Sequence, residues 1–402
     1  MDVRQRKPQD QPPSAPSQTS APQLLRDNKS KWTNWFIRTK SAIVLVLIVG
    51  SSVAAGHFGL IALNSLIQVL LFHELTRLSG HATDDTRDEQ NILPFSQLYK
   101  WSWFVLTWYA ITGLVIFTRF SFDQHVGTIF SLLVQYHTFV CFLAACFLFV
   151  YFIATLEPPY WPKMKSLFWI FITLLIIFTT TGPILNPLLE GVFWFIFPTI
   201  IVAINDTAAY ISGFFFGKHK LCNISPKKTI EGFVGALFVT VIVSYFLAGL
   251  LSNYHFMVCP KDVLSLNPRV TCSVDPLFLE KSYFVPLLNK EFVTKPIQLH
   301  ALFFGLFASS IAPFGGLFAS ATKRALKIKD FSNLIPGHGG VADRVDCQIF
   351  MLLFSTIWFN TFVRPFTVSH LMYYSQYLPF DQQLALFNVL KKKLVSAGIP
   401  VN

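Results

Sequence analysis

Charge is scarce in this chain. Of its 402 residues only 13% are Asp, Glu, Lys or Arg, against roughly a quarter in ordinary soluble domains, and that scarcity argues against a soluble fold. Cysteine is scarce as well. The six present include no CxxC pair and no His/Cys cluster at zinc-finger spacing, so a structural zinc site has no support. A GxxxxGK[ST] loop is absent, which argues against P-loop nucleotide chemistry. The first 40 residues contain no short apolar core followed by a small-residue cleavage site, so the first apolar run reads as a retained span. No repeat of fixed period is visible.

Apolar residues are abundant: 53% of the chain is hydrophobic and Phe alone contributes 43 residues. They sit in charge-free runs of about 16 to 25, long enough to cross a hydrocarbon core of about 30 Å as helices. Stretches such as Phe168 to Phe178 do not alternate apolar with polar residues, as barrel strands would. The expected fold is therefore all-α, a polytopic integral membrane protein with about nine transmembrane helices. The spans fall near 41–59, 61–77, 102–119, 128–154, 167–181, 187–204, 233–252, 299–319 and 347–365. Four regions follow: a disordered cytoplasmic arm over 1–40, N-terminal transmembrane helices over 41–204, a catalytic membrane domain over 205–365 with two motif loops, and a tail over 366–402.

The net charge of +11 reads first as orientation by basic cytoplasmic loops. Arg26, Lys29, Lys31, Arg38 and Lys40 precede the first apolar run and place the N-terminus in the cytoplasm. Counting spans from there puts loops 205–232 and 320–346 on the same side, and these carry Lys218, Lys220, Lys227, Lys228, Lys323, Arg324, Lys327 and Lys329. The loop 253–298 faces the opposite side, where Cys259 and Cys272 would form a disulfide if the compartment is oxidising. The tail poses a conflict: nine spans place it opposite the N-terminus, whereas an amphipathic Leu384–Leu394 segment bearing Lys391, Lys392 and Lys393 suits an anionic cytoplasmic surface. The sequons at Asn205 and Asn223 fall on the cytoplasmic side and read as chance matches.

The densest polar stretch runs from Ser320 to Asp346. Ser320, Lys323, Arg324 and Lys327 follow i, i+3, i+4, i+7, so a helix would gather three cations on one face; this suits a polyphosphate, or simply a solvated stripe. Pro336-Gly337-His338-Gly339-Gly340 then leads into Asp343 and Asp346, which share one face of the last long helix. Carboxylates at such depth are functional candidates by default, and Mg²⁺ is typically held by one or two carboxylates together with phosphates and water. Arg344 can instead pair with a carboxylate as structural glue. A second cluster runs from Asn205 and Asp206 at the end of the sixth span, through Lys218, His219 and Lys220, to Ser225-Pro226-Lys227-Lys228-Thr229. Asp206, at a span end, also reads as only a cap or an ion-pair partner. His219 and His338 are single histidines without ligand spacing.

These residues resemble a known signature. Ser320, Lys323, Arg324, Lys329, Asp330, Pro336, His338, Gly339, Gly340, Asp343, Arg344 and Asp346 stand at the spacing of the phosphatidate cytidylyltransferases, also called CDP-diacylglycerol synthases. The segment from Asn205-Asp206-Thr207 through Gly217-Lys218 and Ser225 to Glu231-Gly232 resembles that family's other shared region. The long N-terminal arm and the loop 253–298 look like its eukaryotic branch. The resemblance implies conversion of CTP and phosphatidate to CDP-diacylglycerol and pyrophosphate, with Mg²⁺ required, in a lipid bilayer that is expected to be the endoplasmic reticulum. It also implies a homodimer, and no nucleic-acid partner is expected. On this reading Asp343 and Asp346 bind the metal, with Asp330 nearby and Asp206 as helper. Lys323, Arg324, Lys227 and Lys228 hold the triphosphate, and Ser320, Ser225, Lys329, His338, Gly339, Gly340, Arg344 and Asn205 complete the substrate-binding set. A CTP-dependent lipid kinase and a transporter are the competing readings.

Overall fold

The computed structural model describes residues 21–78, 95–120, 127–181, 184–222, 224–225, 228–259, 274–285, 289–337, 339–363, 375 and 378–396. Among them, eight helical stretches are long and apolar enough to cross a membrane. The first expected span, 41–59, corresponds to a shorter apolar stretch, Thr39–Ala54, inside a helix α1 that begins at Ala21 and ends at Ala54. Helix therefore reaches into the arm expected over 1–40, whose first 20 residues lie outside the described set.

The N-terminal half comprises α2 (Gly56–Arg77), α3 (Phe95–Trp108) continued through a π turn into α4 (Leu114–Phe120), α5 (Gly127–Ala154) and α6 (Tyr160–Thr181). Helix α5 is apolar on every side, and Phe142, Phe147 and Val150 stand exposed on it. That is the surface a lipid-facing helix presents, because lipid tails solvate Phe and Val as well as a protein core does.

The C-terminal half holds the tightest packing. A short α7 (Leu185–Glu190) leads into α8 (Phe193–Phe216), followed by α9 (Ile230–Leu251), a one-turn α10 (His255–Val258), an antiparallel hairpin of β1 (Lys281–Val285) and β2 (Lys290–Thr294), then α11 (Pro296–Ser310), α12 (Pro313–Ala325) and α13 (Ala342–Trp358). In α9 the buried positions Gly232, Ala236, Thr240, Ser244 and Ala248 recur every four residues, a stripe of small side chains. Without a hydrophobic drive between helices in lipid, association depends on close van der Waals contact, which small residues permit. At Gly305 of α11 an added methyl would stand 2.6 Å from Ser244 Oγ and 2.9 Å from Val241 Cα, so the two backbones are as close as glycine allows. Phe193, Trp194 and Phe197 of α8 fill the remaining core with Phe304, Met351 and Phe359.

The hairpin lies within the loop expected over 253–298, where no strand was expected. Cys259 in that loop is disulfide-bonded, while Cys272 lies outside the described residues. The expected sixth span needs a correction: helix α8 does not stop at residue 204 but continues to Phe216, because Ala208 to Phe216 holds no proline and its single glycine, Gly213, is tolerated inside an apolar helix. Asp206 consequently sits on the body of a helix, not at its end. The tail forms a final helix α14 (Phe380–Ser396) with no buried residue.

Candidate active site

The polar residues collect at one end of the bundle, where α8 ends, α9 begins, α12 ends and α13 begins. Helix α12 starts at Pro313 after a break at Ile311–Ala312, with the proline in its first turn, where the missing N–H is harmless. It ends with Lys323 and Arg324 in its last turn, the end at which cations complement the helix dipole. Gly315 and Gly316 press α12 onto α13: a methyl at Gly315 would collide with the carbonyl oxygen of Asp346.

Asp343 is held by three hydrogen bonds. Its Oδ1 accepts a hydrogen bond from Lys323 Nζ at 2.5 Å, and its Oδ2 accepts from the backbone N–H groups of Phe331 and Gly340, both at 3.0 Å. Its side chain is 4% exposed and that of Lys323 16%, so this is a buried pair with its remaining lone pairs satisfied, the condition under which such a pair is tolerated. The Lys323 ammonium also lies 5.3 Å from the centre of the Phe331 ring, a cation–π contact.

Asp346, one turn further along α13, forms a second centre around Gly316. Its Oδ1 accepts from the N–H of Cys347 at 2.8 Å. A methyl on Gly316 would stand 3.4 Å from Asp346 Oδ2 and 3.5 Å from Lys228 Nζ, so these two groups converge on the bare glycine. Asp206 of α8 interacts electrostatically with Lys228, Asp346 and Arg344, and Lys323 with Asp346. Two carboxylates from different helices therefore interact with two lysines, Lys228 of the loop before α9 and Lys323 at the end of α12.

The loop after α12 turns tightly. Lys327, Gly337 and Gly339 take positive φ angles of 54°, 73° and 84°, and Ile335 and Gly339 exchange backbone hydrogen bonds of 2.8 and 3.1 Å. A methyl at Gly339 would lie 3.0 Å from Asp343 Oδ2 and 3.4 Å from Asp330 Oδ1, which brings Asp330 next to Asp343. A polar cavity of about 610 Å³ opens beside this loop, lined by residues that include Lys329, Asp330, Asn333, Gly337, Gly339 and Arg344. Its volume is within the range of about 300–1,000 Å³ typical of small-molecule pockets.

The other loop is folded by its own sequence. The Glu231 carboxylate accepts from the backbone N–H of Lys218 at 3.0 Å and of His219, and pairs with His219 Nδ1 at 2.6 Å. Thr229 caps α9 by accepting from the N–H of Gly232 at 3.2 Å, and Leu221 N–H donates to the carbonyl of Lys228 at 2.8 Å. Thr229, Glu231 and Gly232 thus shape the strand of chain that carries Lys228 inward.

The structure gathers Asp206, Lys228, Ser320, Lys323, Asp330, Asp343, Arg344, Asp346, Gly339 and Gly340 at this end. Ser320 donates its hydroxyl to the carbonyl of Gly316 at 2.7 Å, and the carbonyl of Ser225 accepts from the N–H of Lys228 at 3.1 Å. Arg324 and Lys329 are exposed. Asn205 points elsewhere: it is 3% exposed, and its Oδ1 accepts from Thr240 Oγ1 at 3.1 Å across the α8–α9 contact. Lys227 and His338 lie outside the described residues. Sequence reasoning missed Glu74 of α2, whose Oε2 accepts from the N–H groups of Val341 at 2.8 Å and Ala342 at 3.2 Å. An acidic residue inside an otherwise apolar span was its signal.

Among the described residues no three His, Cys, Asp or Glu side chains stand together as a ready metal cage. Asp206 and Asp346 interact electrostatically and offer oxygen donors only. That set fits a hard cation completed by phosphate and water, the usual manner of holding Mg²⁺, whereas both Asp343 oxygens are already engaged.

Comparison with known proteins identifies the family. The profile of the Cytidylyltransferase family matches residues 36–362, a stretch that takes in every element of the site. Phosphatidate cytidylyltransferase 1 of Arabidopsis thaliana is 36% identical over 393 residues, 93% of this chain and 92% of that protein. Phosphatidate cytidylyltransferase 1 of Homo sapiens is 35% identical over 411 residues, 99% of this chain and 88% of its own length. Phosphatidate cytidylyltransferase 2 of Bos taurus is 33% identical over 402 residues, 97% and 88% of the two chains. The apolar helices and the full-length likeness make this an integral membrane protein, and the chain belongs to the cytidylyltransferase family.

Proposed function

We propose that this chain transfers the cytidylyl group of CTP to phosphatidate, yielding CDP-diacylglycerol and pyrophosphate. The observation that carries the reading is the approach of Lys228 and Lys323 to Asp206, Asp343 and Asp346 beside a polar cavity at one end of a membrane bundle. The nucleophile is a phosphate oxygen of phosphatidate, already anionic. Its bond to the α-phosphorus of CTP forms as the bond to the bridging α–β oxygen breaks, and pyrophosphate leaves with the electron pair. No net proton removal is required, so the protein's task is to bring mutually repelling anions into line and neutralise them. Lys228 and Lys323 supply positive charge to the phosphates, and the cavity beside Arg344 and Lys329 takes the nucleotide. Asp206 and Asp346 would hold Mg²⁺, which when bound screens the phosphate charges and supports the leaving pyrophosphate.

We place these loops on the cytoplasmic side, for which their Lys and Arg content speaks, and the chain in the endoplasmic reticulum, as the eukaryotic relatives suggest. The disulfide-bonded Cys259 lies towards the opposite end, in keeping with an oxidising compartment there. The test is incubation of purified protein with CTP labelled at the α-phosphate, phosphatidate and Mg²⁺. Label in the organic-solvent extract that depends on both additions is the expected result. Label recovered only as soluble CDP would overturn the reading in favour of a lipid kinase.

A further inference from the structure

Helix α13 has no local cap. Its first flanking residue is Val341, which has no side chain able to accept a hydrogen bond, although the first N–H groups of every helix need acceptors. The acceptor comes from 267 residues earlier in the chain. Glu74, in the last turn of α2 and 3% exposed, directs Oε2 at both the Val341 and Ala342 N–H groups, at 2.8 and 3.2 Å. The contact is built in from both sides. A methyl on Gly340 would overlap Glu74 Oε1, so that position admits the carboxylate only as glycine. The end of α2 is itself tied down, since Trp169 of α6 donates its indole N–H to the carbonyl of Leu75 at 2.8 Å. Leu71 and Phe72 of α2 pack in one cluster with Val341 and Ala342.

The residues that follow are those of the site. The N–H of Gly340 holds Asp343 Oδ2, and Asp343 holds Lys323. We propose that Glu74 is a positioning residue for this site: its carboxylate, delivered from α2, caps α13 and fixes the Gly340–Asp343 segment so that Asp343 meets Lys323. The inference deepens the cytidylyltransferase reading and rests on it for its activity readout. The geometry calls first for acceptor reach, since a single oxygen, Oε2, takes both N–H groups.

Two variants separate reach from charge. Glu74→Gln keeps the length and an acceptor oxygen but loses the charge; Glu74→Asp keeps the charge but falls one methylene short. In the full-length purified protein, Glu74→Asp is expected to lower kcat about tenfold or more, the scale of losing a supporting contact behind a functional ligand, with KM for CTP within about twofold. Glu74→Gln is expected to stay within about threefold of wild-type kcat, and both melting temperatures to stay near the wild-type value. Hydrogen–deuterium exchange over residues 340–344 gives a readout independent of catalysis: about tenfold faster in Glu74→Asp, as for loss of a helix cap, and unchanged in Glu74→Gln. If the variants show this exchange pattern while wild-type protein transfers no label, the reaction is overturned and the positioning stands. The positioning itself is overturned if Glu74→Asp keeps its kcat and exchange rate, if Glu74→Gln loses as much as Glu74→Asp, or if the variants lose activity only in proportion to lost folding.

Discussion

The two loops that meet at the site differ in how far away their partners lie. The loop between α8 and α9 is organised from within: Glu231 binds the chain at Lys218 and His219, and Thr229 caps the helix that follows. The loop between α12 and α13 is closed by its own ends as well, through the Lys323–Asp343 pair and the Ile335–Gly339 bonds, but it is held in addition from outside, by Glu74 on α2. A loop closed by its own residues pays little entropy for the closure, because the partners are close in sequence. A loop closed by a distant helix is ordered only once the bundle has assembled. The lysine of the first loop is therefore placed by local chemistry, whereas the start of α13, which carries Asp343, depends in addition on α2.

The largest expected effect breaks the externally held loop. Asp343→Asn removes the charge partner of Lys323 and leaves a buried ammonium uncompensated, a loss that costs about 3–5 kcal/mol in comparable buried pairs. Label transfer from CTP to lipid should fall below a tenth of wild type, and a variant that keeps more than that would detach Asp343 from the chemistry. Next comes Gly340→Ala, whose methyl displaces Glu74. Its rate should fall about tenfold, as expected for a disturbed supporting contact, and in a Glu74→Ala background the same substitution should cost much less, since coupled neighbours are not additive. The smallest effect belongs to the self-organised loop. Thr229→Ala should cost about 1 kcal/mol, the usual worth of a threonine cap, seen as a modest drop in melting temperature with only a small change in kcat. If Thr229→Ala were as damaging as Gly340→Ala, the contrast between the loops would collapse.

Much of this organisation was legible beforehand. Long uncharged runs announced the spans, since a helix must satisfy its own backbone in lipid, and the spacing of Ser320 to Asp346 placed Lys323 and Arg324 on one helix and Asp343 and Asp346 on the next, although Lys327, expected on the same basic face, lies past the end of α12 in a left-handed turn. Asn205 illustrates the limit. Its neighbour Asp206 faces Lys228 and Asp346, whereas Asn205, one residue earlier and 100° around the helix, is spent on Thr240 in the α8–α9 contact. Which of two adjacent polar residues looks into the site depends on the rotation of α8, and that is set by packing against the small-residue stripe of α9. The hairpin in the 253–298 loop was likewise hidden, because five-residue strands such as Lys281–Val285 carry too short a pattern to stand out.

By itself, then, the sequence determined the membrane class, the helix count to within the first span, and the residue types from which the site is made, because hydropathy and motif spacing act along the chain. Only the tertiary structure decided that Asp343 is clamped by Lys323 while Asp346 faces Asp206 and Lys228, and that Glu74 caps α13. Those choices depend on distances between helices far apart in the chain, and such distances are fixed by how closely glycine, alanine and serine let backbones approach.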